Sequence, residues 1–183
     1  MRKLVYKLIY SSLKLFAGKT FANKAYNPFT LLHYFFYQKL LRINGRVKWP
    51  VHRSSKVVCP QNIIRGTRSP GMNRNCYLDA RNGIHFGKNV WMGPGVNIIS
   101  MNHSLTDYTS YIKAPPIKIG DNCWLATNVT ITAGVTLGNH VVIAAGAVVT
   151  KSFEQDNLLI GGVPAKIIKE LPPYKEKKTN EEN

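Results

Sequence analysis

Five histidines are the side chains of this chain best suited to acid–base chemistry, because the ordinary pKa of imidazole lies near neutral pH. They are His33, His52, His85, His103 and His140. His103 stands in the short polar run Asn102-His103-Ser104, and His85 comes before it in the chain. Whether either residue can act as a general base depends on the elements that hold it in place.

Much of the sequence around these histidines has a repeat of six residues. An aliphatic residue recurs six times, a small residue usually follows it, and the fifth position of each unit is mostly small or apolar. A helix cannot keep a six-residue period on one face, because 3.6 residues per turn do not divide it. The period is typical of a parallel β-helix of short strands joined by tight corners. The aliphatic positions are Ile119, Leu125, Ile131, Leu137, Ile143 and Val149; the fifth positions are Cys123, Val129, Val135, Val141, Ala147 and Phe153.

The repeat extends backward through Ile98, Met92, Phe86 and Ala80, and Val57 and Ile63 could open it. It is broken between Ser104, where the next aliphatic residue should stand, and Ile119. Because the interval from Ser104 to Ile119 is not a multiple of six, we predict that residues 104–118 form an extruded loop, and such loops on rigid scaffolds often carry function. The sequence therefore predicts a partly helical, basic segment at 1–50, the β-helix at 51–171 with that loop, and a flexible tail at 172–183.

The repeat also predicts neighbours, since three units of six make one full coil. His85 and His103 are separated by three such units, so on this reasoning they lie on adjacent rungs about 4.8 Å apart. His85 would then orient the base or lower its pKa, unless it is simply an exposed corner residue. Asp79 and Asn97 are paired in the same way along another edge, and Asp79 could position an acceptor or the imidazole.

Several spaced motifs resemble those of the hexapeptide-repeat acyltransferases. Pro116–Trp124 (PIKIGDNCW) is similar to the segment P-I-x-I-G-D-x-x-W of that family, and Ala145–Lys151 and Gly162–Lys166 are similar to G-A-G-S-V-V-T-K and G-N-P-A-K. His103 stands where these enzymes carry their catalytic histidine. The resemblance covers roughly residues 74–170 and is greatest to the maltose and galactoside O-acetyltransferases and the polysaccharide O-acetyltransferases.

The resemblance implies a mainly β protein, a left-handed parallel β-helix that assembles as a homotrimer and uses acetyl-CoA without a metal. It implies transfer of an acetyl group to a carbohydrate hydroxyl, of a surface polysaccharide or glycolipid precursor, with His103 as general base. Asp79, His85 and Trp124 are the predicted substrate-binding residues. The residues that match positions contacting CoA in the family are Thr127, Ala145, Thr150, Lys151, Lys166 and Lys169.

Charge is distributed unevenly along the chain. The formal net charge is +16, and residues 1–78 contain 15 Lys and Arg but no Asp or Glu. Such a segment favours a polyanionic neighbour. Residues 1–16 combine a stripe of leucines with a face of lysines, which favours an anionic membrane surface over nucleic acid. We therefore expect a cytoplasmic protein, peripheral at the inner face of the membrane, with no secretory signal and no membrane span. The alternative is that the apolar stripe packs on the β-helix or on a trimer neighbour.

Other classes of protein share parts of this pattern. A xenobiotic (antibiotic) acetyltransferase has a similar repeat and histidine, and a non-enzymatic, membrane-binding solenoid would explain the basic half. A γ-type carbonic anhydrase needs a third histidine near its zinc, and serine acetyltransferase has an acidic helical domain that is not evident here. Three cysteines are too few for a disulfide framework, and Cys123 is interpreted as a small core residue.

Overall fold

The structure, a computed structural model, describes residues 2–176. Two α-helices, α1 (Arg2–Ala17) and α2 (Pro28–Phe35), come first, with a 3₁₀ turn at Lys19–Ala22 and a π-helical turn at Phe36–Leu40. Asn27 caps α2, because its side chain accepts a hydrogen bond from the Phe29 amide. Among the described residues, no helix has the length and apolar character that crossing a membrane requires.

The rest of the described chain is built mainly from three sheets of short, parallel strands. Sheet A contains β1 (Lys56–Val58), β3 (Tyr77–Asp79), β6 (Asn97–Ile99), β11 (Thr130–Ile131) and β14 (Val148–Val149). Sheet B contains β2 (Ile63–Ile64), β4 (Ile84–Phe86), β9 (Ile117–Ile119) and β12 (Thr136–Leu137). Sheet C contains β5 (Trp91–Met92), β10 (Trp124–Leu125), β13 (Val142–Ile143), β15 (Leu158–Gly162) and β16 (Ala165–Glu170), with β16 antiparallel to β15.

The chain visits the sheets in turn, so each strand pairs with a strand from the next circuit. Ile131 pairs with Val149, and Leu125 pairs with Ile143, which is the predicted spacing of three repeat units. The prediction of a mainly β protein with parallel sheets is confirmed.

The repeat positions form one continuous core. All six aliphatic positions from Ile119 to Val149 are at most 3% exposed, and the fifth positions from Cys123 to Phe153 are at most 7% exposed. A second, smaller cluster joins α1 and α2 through Leu13, Phe21, Leu31 and Tyr34. The hexapeptide period therefore identified the interior of the sheets from the sequence.

The extruded loop is a hairpin. Strands β7 (Asn102–His103) and β8 (Tyr111–Ile112) pair antiparallel between sheets A and B. Strand β9 begins at Ile117, whose side chain is fully buried. The predicted loop 104–118 thus overlaps the start of β9 and omits β7.

The division into residues 1–50, 51–171 and 172–183 stays a prediction. Residues 172–176 have no regular secondary structure, although Tyr174 packs its ring 5.0 Å from His140 and its hydroxyl accepts a hydrogen bond from Asn89. The remainder of the predicted tail, 177–183, lies outside the described residues.

Candidate active site

His103 lies on β7 of the hairpin, with its side chain exposed to solvent. Its Nδ1 is 2.6 Å from the carbonyl oxygen of Tyr108. A carbonyl oxygen can only accept, so Nδ1 carries the hydrogen in the neutral ring. Nε2 then keeps its lone pair and is the atom able to take a proton. This arrangement is what a general base requires.

The His103 ring also packs against an aromatic neighbour. Tyr111, its partner across the hairpin, has its ring centroid 4.5 Å from the imidazole centroid at an angle of 39°. The Arg81 guanidinium lies over the ring of this tyrosine, 4.9 Å from its centroid. The histidine is therefore connected to the sheet region through one tyrosine and one arginine.

Arg81 is held by an ion pair with Asp79. The guanidinium Nη2 donates to Oδ2 at 2.7 Å, and Nε donates to both carboxylate oxygens at 3.0 and 3.1 Å. Hydrogen bonding to Asp79 raises the pKa of Arg81 above its usual value. The Asp79 side chain is only 1% exposed, whereas that of Arg81 is 31% exposed. Direct contact between Asp79 and a substrate, as the sequence predicted, would require opening this pair.

The side chain of Asn82 forms hydrogen bonds at both ends of the hairpin. The Asn82 amide donates to the carbonyl oxygens of Ser100, at 2.9 Å, and Ile112, at 3.2 Å. Within the loop, Asp107 accepts hydrogen bonds from the amide and hydroxyl of Thr109, and these bonds lower the pKa of its carboxyl. The loop that supplies the Tyr108 carbonyl is therefore ordered by its own hydrogen bonds.

The predicted pairing of His85 with His103 is wrong. His85 lies on β4, where its neighbours across the sheet are Ile64 and Lys118. The insertion begins before His103, so this residue belongs to the hairpin and not to a rung of the sheets. Residues three repeat units apart are neighbours on adjacent rungs only where no insertion interrupts the circuit between them.

The predicted pairing of Asp79 with Asn97 is also wrong, because Asp79 pairs with Ile99 and Asn97 pairs with Tyr77. The circuit at this point is slightly longer than three units of the repeat, so the register shifts.

Trp124 lies on β10 and is 53% exposed on the outside of sheet C. Its neighbours across the sheet are Trp91, which is also about half exposed, and Val142. The hairpin that carries His103 projects from the coil between sheets A and B, whereas Trp124 lies on sheet C. The two residues therefore come from different sides of the coil.

The predicted CoA-binding residues fall into groups. Thr127 and Ala145 share the corner that follows sheet C, where the Gly146 amide donates to the Thr127 carbonyl at 2.9 Å. Both are exposed. Lys166 is paired with Gly161 across the sheet. Gly161 packs against Ala144, since a Cβ added to this glycine would lie 2.9 Å from the Cβ of Ala144. Lys166 therefore lies near the same corner.

The other three residues of this set lie apart from that corner. Lys169 pairs with Leu159 farther along β15. Thr150 and Lys151 follow β14 and are exposed at the corner after sheet A. The chain therefore gathers three of the six residues at one corner and leaves the other three elsewhere.

Sequence reasoning missed Arg81, Tyr108 and Tyr111. Arg81 stands two positions after Asp79, a spacing that allows a local ion pair, but nothing in the repeat indicates it. Tyr111 lies within the predicted loop, where its pairing with His103 depends on the turn geometry of the hairpin.

Comparisons with known proteins agree with this architecture. The family model described as "Bacterial transferase hexapeptide (six repeats)" matches residues 116–151. The galactoside O-acetyltransferase of Escherichia coli (strain K12) is 34% identical over 91 residues, which are 48% of this chain and 44% of that protein. WcaF of the same strain, an acetyltransferase named for colanic acid biosynthesis, is 35% identical over 107 residues, covering 48% of this chain and 58% of WcaF.

A solved structure extends the likeness to most of the chain. The hexapeptide-repeat-containing acetyltransferase of Vibrio cholerae O1 biovar eltor, complexed with acetyl coenzyme A, is 28% identical with a TM-score of 0.58. The match covers 92% of this chain and 88% of that one. The chain spans about half the length of the curated relatives it matches. In its repeat, its parallel sheets and these relatives, the chain is similar to the hexapeptide-repeat transferases.

Proposed function

We propose that this protein is an acetyl-CoA-dependent O-acetyltransferase that acts on a carbohydrate hydroxyl of a surface polysaccharide or glycolipid precursor, with His103 as general base. The observation that carries the proposal is the exposed imidazole whose Nδ1–H is committed to the Tyr108 carbonyl. The relatives named for galactoside acetylation and colanic acid biosynthesis support the acceptor class.

The chemistry divides simply between the substrates and the chain. Acetyl-CoA supplies an acetyl group activated as a thioester. His103 Nε2 takes the proton of the acceptor hydroxyl as its oxygen bonds to the acetyl carbon, and it can return that proton to the departing thiolate. The Nδ1–H bond to Tyr108 stabilises the imidazolium formed in between.

We place the CoA at the corner formed by Thr127 and Ala145, where small, exposed residues leave room for a ligand beside the main chain. Lys166 adjoins this corner and could pair with a phosphate, while Thr150, Lys151 and Lys169 would contact other parts of the molecule. His85 and Trp124 remain proposed acceptor contacts, and Asp79 is assigned to the acceptor site through Arg81.

We further propose a left-handed β-helix that assembles as a homotrimer. Sheet C leaves Trp91 and Trp124 half exposed, which suits a contact between subunits. In a trimer, Trp124 of one subunit could approach the hairpin of the next. Sedimentation that finds an active monomer would contradict this assembly.

The activity is tested by incubating the protein with acetyl-CoA and a panel of free sugars and oligosaccharides. Turnover is measured as release of the CoA thiol. We expect His103→Ala to lose turnover by about 10²–10⁴-fold while it binds acetyl-CoA as the wild type does in calorimetry. His33→Ala removes an exposed histidine of α2 and serves as the matched control.

Two outcomes of that assay would contradict the proposal. Near-normal turnover by His103→Ala removes this residue from the chemistry. Acetylation of antibiotics in the panel but of no sugar would favour a xenobiotic acetyltransferase, and no turnover with any acceptor would favour a non-enzymatic solenoid.

We also propose that residues 1–50 rest on an anionic membrane surface, which would place the enzyme in the cytoplasm at the inner face of the membrane. Leu4, Leu8 and Leu15 are 63%, 59% and 78% exposed. With about 3.6 residues per turn, they form a stripe on the side of α1 opposite the buried Leu13. The stripe therefore packs on nothing within the described part of its own chain.

Lysines border this stripe. A groove of about 690 Å³ runs beside α1, and its charged lining consists of Lys3, Lys7, Lys14, Lys19 and Lys24. Each lysine near an anionic bilayer can contribute about 1 kcal/mol, less at high salt. An apolar stripe flanked by cations is the arrangement of a helix that lies in the membrane interface.

Co-sedimentation with vesicles tests this surface. We expect the full chain to bind vesicles that contain phosphatidylserine and to ignore purely zwitterionic ones. Replacing Leu4, Leu8 and Leu15 together by Ser should abolish binding, whereas Ile64→Ser, at an equally exposed site on sheet B, should not change it. Undiminished binding by the triple variant, or none by the wild type at low salt, would contradict the proposal.

A further inference from the structure

We infer that Arg81, anchored by Asp79 and acting through Tyr111, is a positioning residue that holds the His103 ring in its working orientation. The inference rests on the proposed function, in which His103 Nε2 is the base. It gives the buried ion pair of Asp79 and Arg81 a part in the reaction, because Arg81 contacts the tyrosine ring that packs on the histidine.

The His103 side chain is exposed to solvent. An imidazole on a short strand of an exposed hairpin can rotate about its side-chain bonds unless something holds it. The described contacts of the ring are the Tyr108 carbonyl at 2.6 Å and the Tyr111 ring at 4.5 Å. The carbonyl fixes one nitrogen, and Tyr111 limits the plane in which the ring can lie. Both contacts are needed to fix the direction of Nε2.

Tyr111 is itself half exposed, so its ring also needs a contact that holds it. The centroid of its ring lies 4.9 Å from the Arg81 guanidinium, and the negative face of a tyrosine ring attracts a cation placed over it. Arg81 is in turn held by three hydrogen bonds with the Asp79 carboxylate. Asp79 therefore holds Arg81, Arg81 holds the Tyr111 ring, and the Tyr111 ring limits the orientation of His103.

The residue that pairs with Asp79 also contacts the Tyr111 ring. Asp79 has lost nearly all contact with water, and burying a carboxylate costs free energy unless it is paired. Any cation could pair with it, but only a planar guanidinium can bind both carboxylate oxygens and also cover the face of an aromatic ring. Arg81 does both, which is why lysine should not replace it fully.

The test is designed around Tyr111, because removing Arg81 would leave Asp79 unpaired and could unfold the protein. We would label the full chain with ¹⁵N-histidine and read the tautomer of His103 from its two ring nitrogens by NMR. The wild type should show hydrogen on Nδ1. Tyr111→Phe keeps the stacked ring and should keep that spectrum, whereas Tyr111→Ala should move it toward a mixture of both tautomers.

Arg81→Lys should give an intermediate spectrum, since it keeps a cation but loses the guanidinium that lies over the Tyr111 ring. Arg53→Lys is the matched control: its guanidinium also lies over a tyrosine ring, 5.0 Å from the centroid of Tyr37, at a place outside the His103 hairpin. This variant should leave the His103 signals in place. In the acetyl-transfer assay, Tyr111→Ala should lower kcat about 10-fold and leave KM for acetyl-CoA unchanged, because misorientation affects the reacting atoms more than binding.

Unchanged His103 signals and unchanged kcat in both Tyr111→Ala and Arg81→Lys would overturn the inference. The spectrum needs no acceptor, so it separates the two proposals. A wild-type protein without turnover contradicts the proposed function, and the tautomer of the Tyr111 variants still decides whether this group of residues positions the ring.

Discussion

Gly120 tests the packing of the rungs most directly. It occupies the corner after sheet B, where glycines stack from one circuit to the next, with Gly87 on one side and Gly138 on the other. A Cβ added at Gly120 would lie 2.5 Å from the carbonyl carbon of Gly138 and closer still to its oxygen. Gly120→Ala should therefore force two rungs apart.

The size of the effect follows from these distances. Ordinary contact begins near 3.4 Å, so the two rungs must separate by about 0.9 Å at this corner. The Gly120 amide now donates to the Leu137 carbonyl at 3.0 Å, and that movement would stretch the bond beyond useful length. Overpacking costs about 1–3 kcal/mol and the lost hydrogen bond about 1 kcal/mol, which together give about 2–4 kcal/mol of unfolding free energy.

Thermal unfolding followed by circular dichroism, at one protein concentration for all variants, measures this loss. For a chain of this size we expect the Tm to fall by about 4–16 °C. Ala126→Gly is the matched control, since it changes the same position of the repeat at the corner after sheet C. It should cost only about 0.5–1 kcal/mol, the usual penalty of glycine. A Tm for Gly120→Ala that stays indistinguishable from that of the wild type would refute the reasoning.

Three further outcomes follow from groups that are buried or partly buried. Burial raises the pKa of the Cys123 thiol to about 12, so iodoacetamide at pH 8 should modify it only after denaturation, as mass spectrometry would show. Gln38→Leu should lower the unfolding free energy by about 2–4 kcal/mol in guanidinium titrations, because Gln38 is 1% exposed and serves main-chain groups of Trp49 and Val51. Burial lowers the pKa of His52, so the unfolded chain binds its proton more readily; stability should fall as the pH drops from 8 to about 5.5, and His52→Gln should weaken that dependence.

The sequence by itself determined the interior of the sheets. Leu125, Ile131 and Ile143 were assigned to the core from their spacing alone, and each is fully buried. The reason is local, because every corner of a narrow coil needs an inward aliphatic residue, a requirement that repeats whatever lies on neighbouring circuits. The same local reasoning predicted an insertion before Ile119.

The sequence also predicted that α1 is amphipathic, but it did not predict which face of the helix packs on the protein. A stripe of leucines can face the protein or the solvent, and the residue pattern is the same in both cases. Only packing against α2 turned Leu13 inward and left Leu4, Leu8 and Leu15 exposed.

The tertiary structure alone decided the surroundings of His103. Counting in whole coils placed His85 beside it, whereas the insertion lengthened that circuit and gave His85 the neighbour Lys118. The contacts of the imidazole with Tyr108 and Tyr111 depend on how the hairpin turns. Such contacts join residues through space after the chain has left the repeat, so no periodicity encodes them.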